Sequence, residues 1–270
     1  MKERHEDKVC DTIVHFIAKR KNLIIDKICY PDKDKKDNTP SVDRLIKCLG
    51  VEILLEHTLI ESYPEQIADS KRVANLLDPL RMKLAGQLPT PGHYELLIDV
   101  GAVKGAKDTE SIQTALLKWI TEKAPLLKVG SPNVVPAHYI REKPLGVPFE
   151  VTLYRFPRRD GELWITLLAP NNLQAKRKER ISKAFEQKCH KLCKARDDNR
   201  ISVLLLEYDD IFLGNDLVIA KAIIEVLPSR NDVPDEIYLV DTCITRWSVS
   251  VVKEGVSLFP NIQNLGPHYL

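Results

Sequence analysis

Residues 51–61 constrain the fold of this chain more than any other segment, because an apolar, strand-forming run carries an acidic residue in its middle. Side chains alternate between the two faces of a β-strand. A carboxylate on a partly desolvated strand costs free energy unless it is paired or binds a metal ion. Glu56 is therefore the first candidate for a catalytic or metal-binding residue. We expect the core face to carry Val51, Ile53, Leu55, His57 and Leu59, and the other face to carry Glu52, Glu56 and Thr58.

A second carboxylate, Asp43, lies one strand upstream of Glu56. The apolar pattern predicts strands over 41–48 and 51–60, joined by a tight turn at Leu49 and Gly50. Across an antiparallel hairpin, the two carboxylates can come close enough to bind one ion. Carboxylate oxygens are the ligands that Mg²⁺ and related hard cations prefer. The hairpin therefore predicts a two-carboxylate metal site.

Composition excludes several classes of protein. The 270 residues suffice for one large α/β domain or two small ones, and a net charge of +2 gives no overall basic field for nucleic acid. Residues 1–8 are too highly charged for a signal peptide, and no apolar run is long enough to span a bilayer. Six cysteines without a framework spacing favour reduced thiols. We therefore expect a cytoplasmic protein without membrane contact.

The periodicity of apolar residues predicts an α/β fold with a mixed central sheet flanked by helices. The proline-rich segment 125–148 separates a first domain over 1–124 from an α/β extension over 149–270, although both halves could share one sheet. The first part contains, in order, a helix (6–20), three strands (22–30, 41–48, 51–60), a helix (65–84) and a strand (94–100). The remainder contains helices at 111–124, 173–195 and 216–226, and strands at 149–156, 163–168, 201–208, 236–241 and 247–253.

This order of elements, together with Asp43 and the triplet Glu56-His57-Thr58, resembles the core of the PD-(D/E)XK nuclease superfamily. The resemblance implies a restriction-endonuclease-like core (αβββαβ) in the first half of the chain. It also implies that Asp43 and Glu56 hold Mg²⁺ or Mn²⁺, with the backbone carbonyl of His57 as a further ligand.

The triplet departs from the superfamily pattern at one position. A lysine is expected two residues after the strand acid, and Thr58 stands there instead. Some members of the superfamily take this lysine from the next helix, which implies Lys71 or Arg72 for this role. Gln66, at the start of the same predicted helix, resembles a glutamine found in some branches. The implied catalytic set is therefore Asp43, Glu56, Lys71 and Gln66.

The resemblance implies metal-dependent hydrolysis of phosphodiester bonds, with DNA favoured as substrate and a role in bacterial defence. In such a reaction the ion neutralises charge on the scissile phosphate and helps to activate water. The alternative is a non-catalytic module with a degraded nuclease fold that binds nucleic acid or protein. In that case Glu56 pairs with Lys71 or Arg72, His57 is a hydrogen-bonded core histidine, and Asp43 caps a turn.

The predicted helix Leu173–Ala195 is strongly basic and has an apolar stripe on one side. Its opposite face could follow a phosphate backbone, or it could be an ordinary solvated face. A homodimer or membership of a larger complex also stays open. The residues expected to contact nucleic acid are Lys176, Arg177, Arg180, Lys183 and Lys191.

Two further groups of potential metal ligands occur in the second half. Cys189 and Cys193 share one helix face, but a zinc site needs two more ligands, so a pair of small core residues is the favoured interpretation. Acidic residues near strand ends could form a second metal site or cap the following helices. This second group comprises Glu207, Asp209, Asp210, Asp235, Glu236 and Asp241.

Overall fold

The computed structural model describes residues 5–34, 41–61, 63, 65–128, 138–157, 161–168, 172–209, 216–243, 246–258 and 268–269. Its helices are α1 (His5–Lys21), α2 (Pro31–Asp34), α3 (Gln66–Leu84), α4 (Thr109–Lys123), α5 (Leu173–Ala195) and α6 (Asp216–Val226). Its strands are β1 (Ile25–Cys29), β2 (Arg44–Cys48), β3 (Val51–Leu59), β4 (His93–Asp99), β5 (Tyr139–Glu142), β6 (Val151–Phe156), β7 (Leu163–Leu168), β8 (Arg200–Tyr208), β9 (Glu236–Asp241), β10 (Ser248–Glu254), β11 (Ser257–Leu258) and β12 (His268–Tyr269). Every predicted helix and strand is confirmed to within a few residues.

The chain forms two compact units. Unit 1 comprises Met1–Pro64 and Leu173–Leu270, and unit 2 comprises Glu65–Asn172. Unit 2 is thus an insertion between β3 and α5. This division differs from the predicted boundary at 125–148.

Unit 1 is built on one mixed sheet, which confirms the predicted α/β class. Its strand order is β1-β2-β3-β8-β9-β10-β11, with β12 also paired to β10. Strands β1, β2 and β3 are antiparallel neighbours, whereas β8 lies parallel to β3 and β9 parallel to β8. Gly50, with a φ of 81°, forms the turn between β2 and β3, where most other residues would be strained.

Both faces of this sheet are covered by helices. The residues of α1 pack with Ile53 and Leu55 of β3 in one apolar cluster. The residues of α5 and α6 pack with Leu54 of β3 in a second cluster on the other face. Because β3 lies between two helical layers, side chains on both of its faces are buried, including those that alternation assigns to opposite sides.

Unit 2 has its own four-stranded sheet, ordered β5-β6-β4-β7. Alternate residues of β4 (Tyr94, Leu96 and Ile98) pack with α3 and α4 in a single apolar cluster. Helix α4 begins at Asp108, whose carboxylate accepts a 3.0 Å hydrogen bond from the backbone N–H of Ser111. Strand β4 pairs with β6 and β7, so it belongs to this sheet and not to the sheet that contains β3.

The elements that follow β3 in its sheet are therefore not those expected for the predicted αβββαβ core. The helix and strand that follow β3 within its own unit are α5 and β8, not α3 and β4. The strands β8, β9 and β10, predicted as part of an extension, extend the sheet of β1–β3. Among the described helices, none combines the length and the apolar character that crossing a membrane requires.

Candidate functional site

Asp43 and Glu56 meet at one end of the β2–β3 hairpin. Arg44 pairs with Leu55 in the antiparallel register, so Asp43, the residue before β2, comes opposite Glu56. The backbone N–H of His57 donates a 2.7 Å hydrogen bond to Asp43 Oδ2. This bond holds the Asp43 carboxylate against β3, beside the carboxylate of Glu56.

Two lysines of α5 face these carboxylates. Lys188 Nζ lies 2.6 Å from Glu56 Oε2 and 3.1 Å from Asp43 Oδ2, so one ammonium group bridges both acids. Lys191 Nζ, nearly one turn further along α5, lies 3.6 Å from Glu56 Oε1. Both acids contact this one nitrogen, so an oxygen of each converges on a common point, while Lys191 and the His57 N–H each contact one acid separately.

Glu56 is the most deeply buried member of this cluster. Its side chain has no solvent exposure, compared with 12% for Asp43 and 19% for Lys188. Burial, and next the charge of Asp43, raise the pKa of Glu56 even though both lysines act to lower it. Neither Glu56 oxygen makes a hydrogen bond of good geometry within the described structure, so the ion pairs leave it with acceptor capacity.

The charges of the same two acids shift the pKa of Lys188. Burial by itself lowers the pKa of Lys188, but the charges of Glu56 and then Asp43 outweigh it, and the pKa of Lys188 is raised. The two acids therefore favour the protonated, cationic form of Lys188. The cluster thus combines two converging acids with one tightly held cation, which suits it to bind a further ligand or to move a proton.

The opposite face of β3 carries a second polar cluster around the side chain of His57. Its Nε2 lies 2.7 Å from Glu207 Oε2, and its Nδ1 lies 3.7 Å from Glu6 Oε1. Glu207 Oε1 also accepts hydrogen bonds of 2.8 Å from His5 Nε2 and 2.7 Å from Thr242 Oγ1. Since both nitrogens of His57 face carboxylates, the doubly protonated imidazolium is the form that satisfies them.

The charges of this second cluster stabilise one another. Burial alone would lower the pKa of His57, but Glu207 and Glu6 outweigh burial and raise it. Burial would raise the pKa of Glu207, but hydrogen bonds from His57, Thr242 and His5 lower it. The side chain of His57 is therefore a hydrogen-bonded core histidine, and only its backbone reaches the Asp43–Glu56 cluster.

Two predicted site residues lie in the other unit. Gln66 and Lys71 are both on α3, within unit 2, whereas Asp43 and Glu56 belong to unit 1. The described ion pairs of Glu56 are with α5, which differs from the expected pairing with Lys71 or Arg72. The reason is the insertion, because the helix next to β3 in sequence is not the helix that packs on it.

Lys188 is the residue that sequence reasoning missed. Its position gives a signal, because it lies four residues after Ala184 and four before Leu192, both of which are buried on the apolar stripe of α5. A lysine in line with core positions must find a buried partner or reach solvent. Here it finds Glu56 and Asp43.

The basic surface of α5 is smaller than predicted. Arg177 is buried and donates to Gln174, and Arg180 forms a 2.6 Å ion pair with Glu61. Lys191 contributes to the Glu56 cluster. Of the five residues expected to contact nucleic acid, Arg177, Arg180 and Lys191 thus contact other side chains of the protein, which leaves Lys176 and Lys183 in the part of the chain that the structure describes.

Within the described residues, the other candidate ligand groups are not brought together as metal centres. Cys189 is buried in the core, whereas Cys193 is exposed. Asp235 accepts hydrogen bonds from Ser202, and Asp210 lies outside the described residues. Within the described ranges, no three His, Cys, Asp or Glu side chains are grouped so that they could hold a metal ion by themselves.

Comparison of the chain with protein-family models, with curated proteins and with solved structures finds no match.

Proposed function

We propose that the Asp43–Glu56–Lys188 cluster is the active site of a metal-dependent nuclease that hydrolyses phosphodiester bonds, with DNA as the favoured substrate. The observation that carries the proposal is the convergence of two acids from adjacent strands on one lysine from the helix that follows. Both acids belong to the set Asp43, Glu56, Lys71 and Gln66 that the resemblance to the PD-(D/E)XK superfamily implies, and Lys188 would take the role expected of Lys71.

The topology of unit 1 supports this proposal. Apart from the four-residue α2 between β1 and β2, its elements run α1, β1, β2, β3, α5 and β8, which is the αβββαβ order of a restriction-endonuclease-like core. The three antiparallel strands and the parallel β8 beside β3 agree with that fold. The resemblance is thus to a core interrupted by residues 65–172, and α5 is the core helix from which a substitute lysine would come.

The donor set suits Mg²⁺ or Mn²⁺. Asp43 and Glu56 supply two carboxylates, and a residue in a strand directs its N–H and C=O to the same side, so the His57 carbonyl lies on the edge of β3 from which its N–H contacts Asp43. Mg²⁺ needs few protein ligands because it retains several waters. When bound, the ion would neutralise charge on the scissile phosphate and lower the pKa of a water ligand.

The protein side chains would contribute positioning and charge. Asp43 and Glu56, whose side chains are largely buried, would hold the ion at a fixed position beside the phosphate. Lys188 would then stabilise the negative charge that develops on the phosphate oxygens. Lys191, at the edge of the cluster, and the exposed Lys183 would face the approaching backbone.

The decisive experiment is cleavage of supercoiled, linear and single-stranded DNA with Mg²⁺ or Mn²⁺, compared across single-residue variants. We expect Asp43→Asn, Glu56→Gln and Lys188→Met each to reduce the rate at least about 100-fold. Matched controls are Glu52→Gln, on the same strand, and Lys178→Met, on the same helix. Both belong to other ion pairs and should retain the full rate.

Two outcomes would contradict the proposal. Cleavage that persists equally in the three site variants would place the reaction elsewhere. If the protein binds DNA without cleaving it under any metal condition, the result would favour the alternative function, which is a non-catalytic module with a degraded nuclease fold. The latter result would accord with Thr58 at the position where the superfamily has lysine.

A further inference from the structure

Strand β7 forms an open edge of the sheet in unit 2. Within the described residues it pairs with β4 alone, at the end of the strand order. The N–H of Tyr94 donates to the carbonyl of Glu162, so alternate residues from Glu162 onward direct their backbone groups toward β4. Leu163, Ile165 and Leu167 therefore direct their N–H and C=O groups away from the sheet.

The sequence of this edge lacks the features that normally prevent strand pairing. Strand β7 reads Leu-Trp-Ile-Thr-Leu-Leu, six residues without a charge or a proline. Natural edge strands are usually protected by lysine, proline, bulges or shortness. The other outer strands follow that rule, since β5 contains Arg141 and Glu142 and β1 contains Asp26 and Lys27.

An apolar cleft lies beside the same edge. It is open, has a volume of about 320 Å³, and is lined by Leu163 and Trp164 of β7 and by the C-terminal part of α3. Two large apolar side chains there are well exposed, Met82 at 69% and Trp164 at 49%. The open outer edge of β7 can supply backbone hydrogen bonds to an incoming strand, and the cleft with its exposed apolar groups can supply buried area.

We propose that β7 and this cleft form a homodimer interface, in which two copies of β7 pair antiparallel about a two-fold axis. Three properties favour a second copy as the occupant. A two-fold pair places a strand opposite itself, and the uncharged β7 brings no like charges together. Each copy has the same cleft, lined by the exposed Met82 and Trp164, so pairing of the two edges brings apolar side chains of both copies together. The cleft is also lined by one cation, Arg81, and one anion, Glu162, so it is electrostatically compatible with its own copy.

Sedimentation velocity of the full chain over a wide range of concentration tests this interface. We expect the wild-type protein to dimerise, and Trp164→Lys and Met82→Lys each to raise the dissociation constant at least tenfold, because each places like charges across the axis. The control is Leu145→Lys, which adds the same charge at a fully exposed apolar residue of unit 2 that does not line the cleft. It should dimerise like the wild type.

Amide hydrogen exchange provides a second readout that does not depend on a variant. The amides of Leu163, Ile165 and Leu167 should exchange more slowly at concentrations where the dimer forms, and those of Trp164 and Thr166 should change little. Unchanged circular dichroism and unfolding midpoints show that the variants are folded. The proposal would be overturned if the wild-type protein is a monomer at all concentrations. It would also be overturned if both Trp164→Lys and Met82→Lys leave the dimer intact.

Discussion

The two faces of strand β3 carry buried charges of opposite energetic character. On the α1 face, His57 lies between Glu207 and Glu6, and the pKa of His57 and that of each carboxylate are shifted by their contact toward the charged form. On the α5 face, burial and Asp43 raise the pKa of Glu56, so its ionised form is costly despite two nearby lysines. Residues adjacent in sequence, Glu56 and His57, therefore belong to two different electrostatic environments.

This contrast separates structural from functional charge. A buried ion pair that is fully hydrogen-bonded fixes elements to one another, and here it attaches the first turn of α1 to the ends of β3 and β8. A buried carboxylate whose pKa is raised is more characteristic of a binding or catalytic site. The α5 face is thus the better candidate for chemistry, and the α1 face supports it through the backbone N–H of His57.

Replacement of Glu207 should have the largest effect on stability. Glu207→Gln leaves the buried imidazolium of His57 with only the half-exposed Glu6 and weakens the bonds from His5 and Thr242. We expect the free energy of unfolding to fall by about 2 kcal/mol, as for loss of hydrogen bonds to a charged group. Urea denaturation measures this, with Glu225→Gln, in an exposed pair with Lys178, as the control. Equal stability of the two variants would contradict a structural role for the α1 face.

The pH dependence of stability should identify the same face by a smaller effect. The raised pKa of His57 means that its contribution is complete below its ordinary value of 6.5 and is lost as pH rises through the raised value. The lowered pKa values of Glu6 and Glu207 mean that their contributions are complete above 4.5 and are lost as pH falls. The stability difference between wild type and His57→Gln should therefore be greatest between pH 4.5 and 6.5. A difference that does not vary with pH would show that His57 is uncharged in the folded protein.

Replacement of Glu56 should have the smallest effect on stability. Because the folded-state pKa of Glu56 is raised, its ionisation opposes folding at neutral pH, and Glu56→Gln removes that cost. Lys188 retains Asp43 as its partner. We expect the free energy of unfolding to stay within about 1 kcal/mol of the wild type, or to rise, whereas cleavage of DNA is lost. A large loss of stability would place Glu56 with Glu207 among the structural charges.

Much of the fold follows from local sequence pattern. Apolar periodicity and turn residues such as Gly50 depend on neighbours along the chain, so the helices and strands are predicted almost at their observed bounds. The pairing of Asp43 with Glu56 also follows, since a short hairpin fixes its own register. Strand β5 was missed, because its four residues lie in a proline-rich segment and carry two charges.

What sequence pattern could not provide is which distant segments share a sheet. Strand β4 has the apolar composition of a central strand and could pair with β3 by every local rule, yet it pairs with β6 and β7. Strand β8, about 140 residues further along the chain than β3, takes the place beside it. The cost of closing such a loop grows only slowly with its length, so an insertion between β3 and α5 is tolerated and leaves little trace in the local pattern.

The sequence by itself determined that a buried strand carries Glu56 and that a neighbouring strand brings Asp43 to it, because side-chain alternation and hairpin register are local properties. Only the tertiary structure decided that Lys188, and not Lys71, completes the cluster, and that α1 brings Glu6 to the side chain of His57 on the opposite face. Both depend on which helix packs on which face of β3, and that choice arises from the burial of apolar area between segments far apart in the chain.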